Sequence, residues 1–169
     1  MTYRDVTIVI ATFKSSKIIE TCLKSIDKGY KIIIIENSDE NDLKNILEKK
    51  YKNVECVVAS ENLGYGKANN LGLAKVKTKY ALVLNPDAFL ENCALKNFLI
   101  TAKKFPDFTL LGPLLGQDRH IKKKTEKELI EVKNLKGFAI FFNLSKFKNS
   151  NFFDENFFLY FEEFDLCRK

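Results

Sequence analysis

The chain lacks long apolar runs and any regular cysteine spacing. Its uninterrupted apolar runs, such as residues 32–35, fall far short of the about 20 residues that a membrane-spanning helix needs. The four cysteines, Cys22, Cys56, Cys93 and Cys167, show no CxxC or CxxH spacing, which argues against a zinc site or a disulfide framework. The N-terminus shows no charged leader followed by an apolar segment. We therefore expect no spanning helix, no cleaved secretion signal and a reducing, cytoplasmic location.

Two common phosphate-binding motifs are also missing. No GxGxxG opens the first helix and no GxxxxGK[ST] occurs anywhere in the sequence. Dinucleotide-dependent oxidoreductases and P-loop phosphotransferases hold phosphate with these glycine-rich loops. A diphosphate ligand of this chain would therefore be bound by a metal ion and by side chains.

The composition is that of one globular domain. The 169 residues are 46% hydrophobic and 30% charged, which excludes a wholly disordered chain. The net charge of +6 admits nucleic acid, acidic lipid headgroups or a phosphorylated small molecule as partners. However, the lysines are spread along the chain, and the densest run, residues 122–124 with Lys127, is interleaved with Glu126, Glu128 and Glu131, a pattern typical of a solvated segment. We expect no nucleic acid partner.

Short apolar runs alternate with helical patterns. The strand-like runs cover residues 6–11, 31–36, 54–59, 80–84, 108–111 and 136–143. Apolar residues at helical spacing predict helices over residues 42–50, 65–75 and 94–104. They also predict a first helix, which Ser15 or Ser16 caps and Gly29 ends. Strands that alternate with helices predict an α/β fold with a doubly wound, mostly parallel sheet flanked by helices.

Each strand of the first half ends in polar residues, as at residues 36–39 and 60–64. Ligands of open α/β sheets bind at these carboxyl ends. Asp87 follows a buried strand there, and a lone carboxylate suits Mg²⁺ or Mn²⁺ shared with a substrate diphosphate. Taken singly, each strand end is equally well explained as turn or capping chemistry.

Residues 152–167 are aromatic and acidic together. A carboxylate in a partly apolar site has a raised pKa, which suits a general base. The alternative is an amphipathic helix with a buried face, Phe161, Phe164 and Cys167, and a solvated acidic face, Glu162, Glu163 and Asp165.

Five elements resemble, in order, the inverting family-2 glycosyltransferases of the GT-A fold, and especially their rhamnosyltransferase-like branch. They are residues 6–14, 32–39, 62–72, 84–87 and 153–167. The resemblance implies transfer of a sugar from a UDP- or dTDP-linked donor, with a divalent cation, Mn²⁺ or Mg²⁺, as cofactor. It also implies a surface glycan or glycolipid acceptor, bacterial polysaccharide biosynthesis and peripheral contact with the inner face of the cytoplasmic membrane.

The resemblance also implies a donor pocket. Thr12 and Phe13 match the first-strand motif at the nucleotide base. Glu36 matches an acid, usually Asp, that contacts the base or ribose. A third motif flanks the same pocket, and its matching residues are Asn62, Gly64, Asn69 and Asn70.

The metal and catalytic residues follow from the last two motifs. Asp87 matches the metal-binding acid of the DxD motif, and Asn85 replaces the first acid. Glu162 and Glu163 match the family's Glu-Asp pair, with Glu163 in place of the Asp that acts as general base. The implied reaction is a single displacement with inversion at the anomeric carbon.

The resemblance further implies a layout. We expect one domain over residues 1–169, with a nucleotide-sugar-binding half at 1–113, a flexible basic loop at 114–135 and the start of the acceptor and catalytic half at 136–169. Family members usually continue well beyond the acidic pair, so we expect a short or truncated acceptor side. The alternative function is a catalytically silent nucleotide-sugar-binding module, which would bind donor without turnover.

Overall fold

The structure, a computed structural model, describes residues 3–38, 40–114, 129–147 and 152–168. Its strands are β1 (Val6–Thr12), β2 (Lys31–Glu36), β3 (Val54–Val58), β4 (Tyr80–Leu84), β5 (Leu110–Leu111) and β6 (Ala139–Asn143). The helices of the described ranges are α1 (Ile19–Ser25), α2 (Asn41–Lys50), α3 (Gly64–Leu73), α4 (Ala94–Lys104) and α5 (Glu162–Leu166). Single turns of 3-10 helix cover Tyr3–Asp5 and Leu144–Lys146.

The six strands form one mixed sheet in the order β3-β2-β1-β4-β6-β5. The first four of these are parallel, whereas β6 runs antiparallel to both β4 and β5. This confirms the predicted α/β fold with a mostly parallel, helix-flanked sheet. In the parallel register Thr12 pairs with Glu36 and Glu36 with Val58, so the polar carboxyl ends of β1, β2 and β3 meet at one edge.

The apolar run of β2 is buried on both faces because helices cover both sides of the sheet. Successive side chains of a strand point to opposite faces. Ile32 and Ile34 therefore pack in the cluster that contains α1, α2 and α4, whereas Ile33 and Ile35 pack against α3 on the other face. The aromatic residues of the C-terminal segment, Phe152 and Phe153, lie on the α3 side, in a cluster with Val9, Ile140 and Leu166.

Helix α3 packs closely on β1 at Gly72. A Cβ atom at Gly72 would lie 2.4 Å from Cγ1 of Val9, a distance that would force one of the two elements to move. The glycine therefore lets the C-terminal end of α3 approach the middle of β1 more closely than any other residue would.

Helix α1 and the strands β5 and β6 differ most from their predicted bounds. Helix α1 spans Ile19–Ser25 rather than reaching Gly29, and its N-cap forms no side-chain hydrogen bond. The hydroxyl of Ser15 donates instead to the Phe13 carbonyl at 3.0 Å, so it does not cap the helix. The predicted strands at 108–111 and 136–143 shorten to β5 and β6, and their antiparallel direction was not predicted.

Much of the predicted flexible basic loop at 114–135 lies outside the described residues, since 115–128 are not described. The lysines of residues 122–124 fall in that part. Among the residues that the structure describes, no helix is long and apolar enough to cross a membrane.

Candidate functional site

The loops after β1 and β2 are joined by the carboxylate of Glu36. Its Oε2 accepts the hydroxyl of Thr12 at 2.6 Å, and its Oε1 accepts both the backbone N–H of Ser38, at 2.8 Å, and the Ser38 hydroxyl. The Ser38 oxygen in turn accepts the backbone N–H of Lys14 at 3.1 Å. Both carboxylate oxygens are thus occupied by groups of the protein itself.

Glu36 is fully buried and Thr12 is 1% exposed, whereas Phe13 is 49% exposed. Because Glu36 is buried, a nucleotide could make the predicted contact with its carboxylate only if the residues that cover it moved. In the present geometry Glu36 shapes the two loops, and the exposed groups available to a ligand are those around Phe13 and Ser38.

A second hydrogen-bonded unit joins the loop after β2 to the start of α3. The amide of Asn37 donates to Oδ1 of Asn62 at 3.0 Å and to the carbonyl of Gly64 at 3.2 Å. Its own Oδ1 accepts the N–H of Leu63 at 2.8 Å. Gly64 has φ +74°, in the left-handed region that favours glycine, and so turns the chain into α3 beside this unit.

The two asparagines in the middle of α3, Asn69 and Asn70, form hydrogen bonds with different parts of the chain. Asn69 is fully buried, donates to the carbonyl of Tyr65 at 3.0 Å and leaves its Oδ1 without a hydrogen-bond partner among the described residues. Asn70 faces the C-terminal segment instead and bonds to the backbone of Phe153. Neither amide is directed by its hydrogen bonds toward the Thr12 and Glu36 loops.

Asp87 lies exposed just beyond β4, as predicted from the buried strand before it. Two residues earlier, Oδ1 of Asn85 is buried and accepts no hydrogen bond from the described residues. The thiol of Cys22 lies behind this loop and donates to the Asn85 carbonyl over 3.7 Å. Burial raises the pKa of Cys22 to about 12, and the negative charge of Asp87 adds to the rise.

This loop fits a divalent cation only in part. An exposed carboxylate and an unpartnered amide oxygen are ligands that Mg²⁺ and Mn²⁺ accept. Among the described ranges, however, no cluster of three or more His, Cys, Asp or Glu residues is arranged to hold a metal ion. A cation held by Asp87 and Asn85 would need substrate oxygens to complete its coordination.

At the start of α5 the acidic residue Glu162 is buried and the aromatic residue Phe161 is exposed, the reverse of what the amphipathic alternative predicts. Glu162 is 5% exposed, whereas Phe161, expected in the core under that alternative, is 66% exposed. Glu162 Oε2 has no hydrogen-bond partner among the described residues. Burial raises the pKa of its carboxyl, and the neighbouring charge of Glu163 adds to the rise. The amphipathic alternative is therefore wrong for these two residues.

Glu163 is half-buried beside the turn that leads into β6. A Cβ atom at Gly137 would lie 3.8 Å from the carboxyl carbon of Glu163. The next residue of that turn, Phe138, accepts the backbone N–H of Asn85 at 2.9 Å. The turn at residues 137–138 thus contacts both the Asp87 loop and the acidic pair.

The structure therefore brings the predicted residues into three groups. Thr12 and Glu36 form the first group, and Asn62 and Gly64 the second. Asn85 and Glu163 meet at the 137–138 turn as the third, with Asp87 and Glu162 close to them in the chain. By their hydrogen bonds to Tyr65 and Phe153, Asn69 and Asn70 belong to none of these groups. The sequence reasoning missed the linking residues Asn37, Ser38, Tyr65 and Gly137. For Asn37 and Ser38 a signal existed, since both directly follow a strand that is buried on both faces.

Sequence comparisons give related glycosyltransferases. The low-salt glycan biosynthesis hexosyltransferase Agl10 of Haloferax volcanii is 21% identical over 188 residues, an alignment covering 96% of this chain and 60% of that protein. The rhamnosyltransferase WbbL of Escherichia coli K12 is 28% identical over 184 residues, covering 86% of this chain and 67% of that protein. The chain therefore spans about three fifths to two thirds of the length of these relatives.

Solved GT-A glycosyltransferases share the fold. The mannosyltransferase PcManGT from Pyrobaculum calidifontis, solved with GDP-Man and Mn²⁺, superposes with a TM-score of 0.76 at 14% identity, over 90% of this chain and 48% of that one. S. aureus TarS 1-349 superposes with a TM-score of 0.73 at 17% identity, over 96% of this chain and 54% of that one. A model of one protein family, described as glycosyl transferase family 2, matches residues 7–167. Because that match takes in nearly the whole chain, the chain belongs to glycosyl transferase family 2.

Proposed function

We propose that this chain transfers a sugar from a nucleoside-diphosphate sugar to a hydroxyl group of a glycan or glycolipid, with inversion at the anomeric carbon. The observation that carries the proposal is the 137–138 turn, which contacts both the Asp87 loop and the segment of Glu162 and Glu163. A displacement at a sugar diphosphate requires a group that binds the diphosphate and an acid that accepts a proton, and this turn lies between the segments that carry the two candidates.

On the donor side, the nucleoside lies against the loops that follow β1 and β2. The buried hydrogen bonds of Glu36 with Thr12 and Ser38 hold these loops in place. Phe13 offers an exposed ring for the base. The unit of Asn37, Asn62 and Gly64 closes the neighbouring side of the pocket. UDP, dTDP and GDP are the nucleotides to test, since solved neighbours were crystallised with UDP-GlcNAc and with GDP-Man.

Asp87 and Oδ1 of Asn85, which accepts no hydrogen bond from the described residues, would hold a divalent cation together with the donor diphosphate. When bound, Mn²⁺ or Mg²⁺ neutralises charge that develops on the departing diphosphate. Asp87 lies exposed just beyond β4, where the cation and the diphosphate can approach it together.

Glu163 accepts the proton of the acceptor hydroxyl. The hydroxyl oxygen then bonds to the anomeric carbon while the bond from that carbon to the diphosphate breaks, and the nucleoside diphosphate leaves with the bonding electrons. Glu162, buried beside Tyr65 and with a raised pKa, shapes the electrostatics of the pair. The acceptor, a growing surface glycan, and work at the inner face of the cytoplasmic membrane stay predictions from the family resemblance.

A thermal-shift panel of UDP-, dTDP- and GDP-sugars, each with and without Mn²⁺, tests the donor site. A ligand that binds only the folded state raises the melting temperature. We expect at least one donor to stabilise the chain in a Mn²⁺-dependent manner, and Asp87→Asn to abolish that dependence. Asp42→Asn, which removes an exposed carboxylate from α2, is the matched control.

Nucleoside diphosphate release with and without glycan acceptors tests the transfer step. Glu163→Gln should retain donor binding and lose turnover. No donor binding at all would refute the proposed donor site, and donor binding without release under any condition would leave the nucleotide-sugar-binding module as the function.

A further inference from the structure

We propose that Tyr65 and Asn70 of α3 are positioning residues that hold the segment bearing Glu162 and Glu163 in place for transfer. The proposal rests on the proposed function, and it gives Asn70 a role other than the nucleotide contact that the family resemblance implies. Neither side chain touches donor or acceptor. Both act through the backbone of the segments that they bind.

Asn70 pairs with the backbone of Phe153 in both directions. Its Oδ1 accepts the N–H of Phe153 at 3.0 Å, and its Nδ2 donates to the carbonyl of the same residue at 2.9 Å. Nδ2 also donates to Oε1 of Glu155 at 3.1 Å. Because a side-chain amide has two N–H donors, both are used, and none is left for a nucleotide.

Tyr65 makes three contacts of its own, two to the 152–158 segment and one to the 137–138 turn. Its backbone N–H donates to the carbonyl of Phe158 at 2.9 Å. Its hydroxyl donates to the carbonyl of Gly137 at 2.6 Å, in the turn beside Glu163. Its ring meets that of Phe153 edge to face, with centroids 5.8 Å apart. One residue therefore holds both the 152–158 segment and the 137–138 turn.

Glycines on α3 allow this close approach. A Cβ atom at Gly64 would lie 2.2 Å from the Phe158 carbonyl oxygen. At Gly66 it would lie 3.1 Å from Cβ of Phe153 and 3.8 Å from Cβ of Glu162. The backbone of α3 thus packs directly on the segment that carries the acidic pair, and side chains larger than hydrogen would separate them.

The segment between Phe153 and Glu162 depends on this anchoring. Phe158, Leu159, Tyr160 and Phe161 are each more than half exposed, so they contribute little burial to hold the chain in place. Tyr160 and Phe161 both have φ +69°, which is unfavourable for bulky side chains. A strained and exposed stretch of this kind keeps one conformation only where its ends are fixed, and α3 fixes the N-terminal end.

Three variants test the proposal in the full chain. Asn70→Ala removes the amide, Tyr65→Phe removes only the hydroxyl, and Lys67→Ala, exposed on the same helix, is the matched control. Asn70→Asp, which keeps Oδ1 and loses both N–H donors, replaces Asn70→Ala should that variant not fold. Hydrogen exchange by mass spectrometry reports on the backbone, and titration of Mn²⁺ with UDP, dTDP or GDP reports on nucleotide binding.

We expect Asn70→Ala to speed amide exchange in residues 152–158 by about tenfold or more while exchange in β1 and β2 is unchanged. The affinity for the nucleotide should stay within about twofold of wild type, since only an interaction outside the donor site is removed. The kcat for donor turnover should fall roughly 10- to 100-fold with the donor KM unchanged, as for a misplaced reacting group. Tyr65→Phe, which removes only the bond to the Gly137 carbonyl, should speed exchange around the 137–138 turn and lower kcat less than Asn70→Ala does. Lys67→Ala should change neither exchange nor kcat.

Loss of nucleotide affinity as large as the loss of turnover would make Asn70 a donor contact and overturn the proposal. Unchanged exchange in residues 152–158 would overturn it equally. Should the wild-type chain bind none of the three nucleotides, the proposed function fails, and the exchange measurement alone still decides whether α3 anchors the segment.

Discussion

The hydroxyl of Thr12 donates to Oε2 of Glu36 over 2.6 Å, across two paired strands and in a site that solvent does not reach. This bond joins the last residue of β1 to the last residue of β2. The other oxygen of the carboxylate accepts two donors from Ser38, so the extra methylene of Glu, relative to Asp, lets one side chain reach both loops.

Shortening this side chain should destabilise the fold. Glu36→Asp withdraws the carboxylate from Thr12 or from Ser38 and leaves buried polar atoms short of a hydrogen bond, which costs about 1–3 kcal/mol. Urea unfolding measures the loss. Glu91→Asp, an exposed matched control, should change the free energy of unfolding by less than about 0.5 kcal/mol. Equal stability of Glu36→Asp and wild type would contradict the bracing role of Glu36.

The buried acid Glu162 should make the fold less stable as the pH rises. Burial raises the pKa of its carboxyl in the folded state. Below the ordinary pKa both folded and unfolded chains hold the proton, and the group has no effect. At higher pH the unfolded chain gives up the proton more readily than the folded chain, so unfolding becomes easier.

Glu162→Gln removes this effect. Its melting temperature should exceed that of wild type at pH 8, and the difference should shrink as the pH falls toward 4. Calorimetry across that range measures the trend, with the exposed Glu61→Gln as matched control. A melting temperature below wild type at pH 8 would show that the Glu162 carboxylate stabilises the fold.

Gly64 should tolerate no side chain. Its φ of +74° and the Phe158 carbonyl oxygen 2.2 Å from the Cβ position impose both backbone strain and a clash. Gly64→Ala should therefore lower the free energy of unfolding by more than about 2 kcal/mol. Gly137→Ala, whose Cβ would meet its nearest atom at 3.8 Å, should cost less than about 1 kcal/mol. Similar costs for the two variants, by urea unfolding, would contradict the packing of α3 on the 158 carbonyl.

The four thiols should react in a fixed order. Burial raises the pKa of Cys22 and that of Cys56 to about 12, so at pH 8 only roughly one in ten thousand is thiolate. Burial also raises the pKa of Cys167, whereas Cys93 is exposed. Peptide mapping after brief iodoacetamide treatment of the native chain should find Cys93 modified first. Early modification of Cys22 would contradict its buried position behind the Asn85 loop.

The parallel half of the fold was predictable from local pattern. The four β-branched isoleucines of residues 32–35 favour a short strand covered on both faces, and the helical spacing of α4 matched its bounds of Ala94–Lys104. The direction of β6 was not predictable, because antiparallel pairing with β4 depends on partners far away in the chain. The start of α1 was missed for a local reason, since Ser15 bonds to the Phe13 carbonyl rather than to the helix.

The sequence predicted which residues belong to the candidate site better than it predicted which contacts their side chains make. Motif spacing located Glu36, Asn70 and Glu162, but a motif does not say where a side chain turns. The Glu36 side chain is directed toward Thr12, and that of Asn70 toward Phe153. Glu162 is buried where Phe161 was the expected core residue, and Phe161 is exposed. Each of these orientations is decided by packing between distant segments.

The position of β6 also has a consequence for how the chain folds. In the described sheet β5 pairs with β6, and β6 pairs with β4. Strand β5 is synthesised before β6 but can pair only with β6. It therefore cannot join the sheet until β6 has been made and has paired with β4, which is far away in the sequence. Closing so long a loop is slow because the chain loses entropy before the contacts form. The parallel strands β1 to β4 can therefore assemble during synthesis, while the edge strand waits for the segment that leads into the acidic pair.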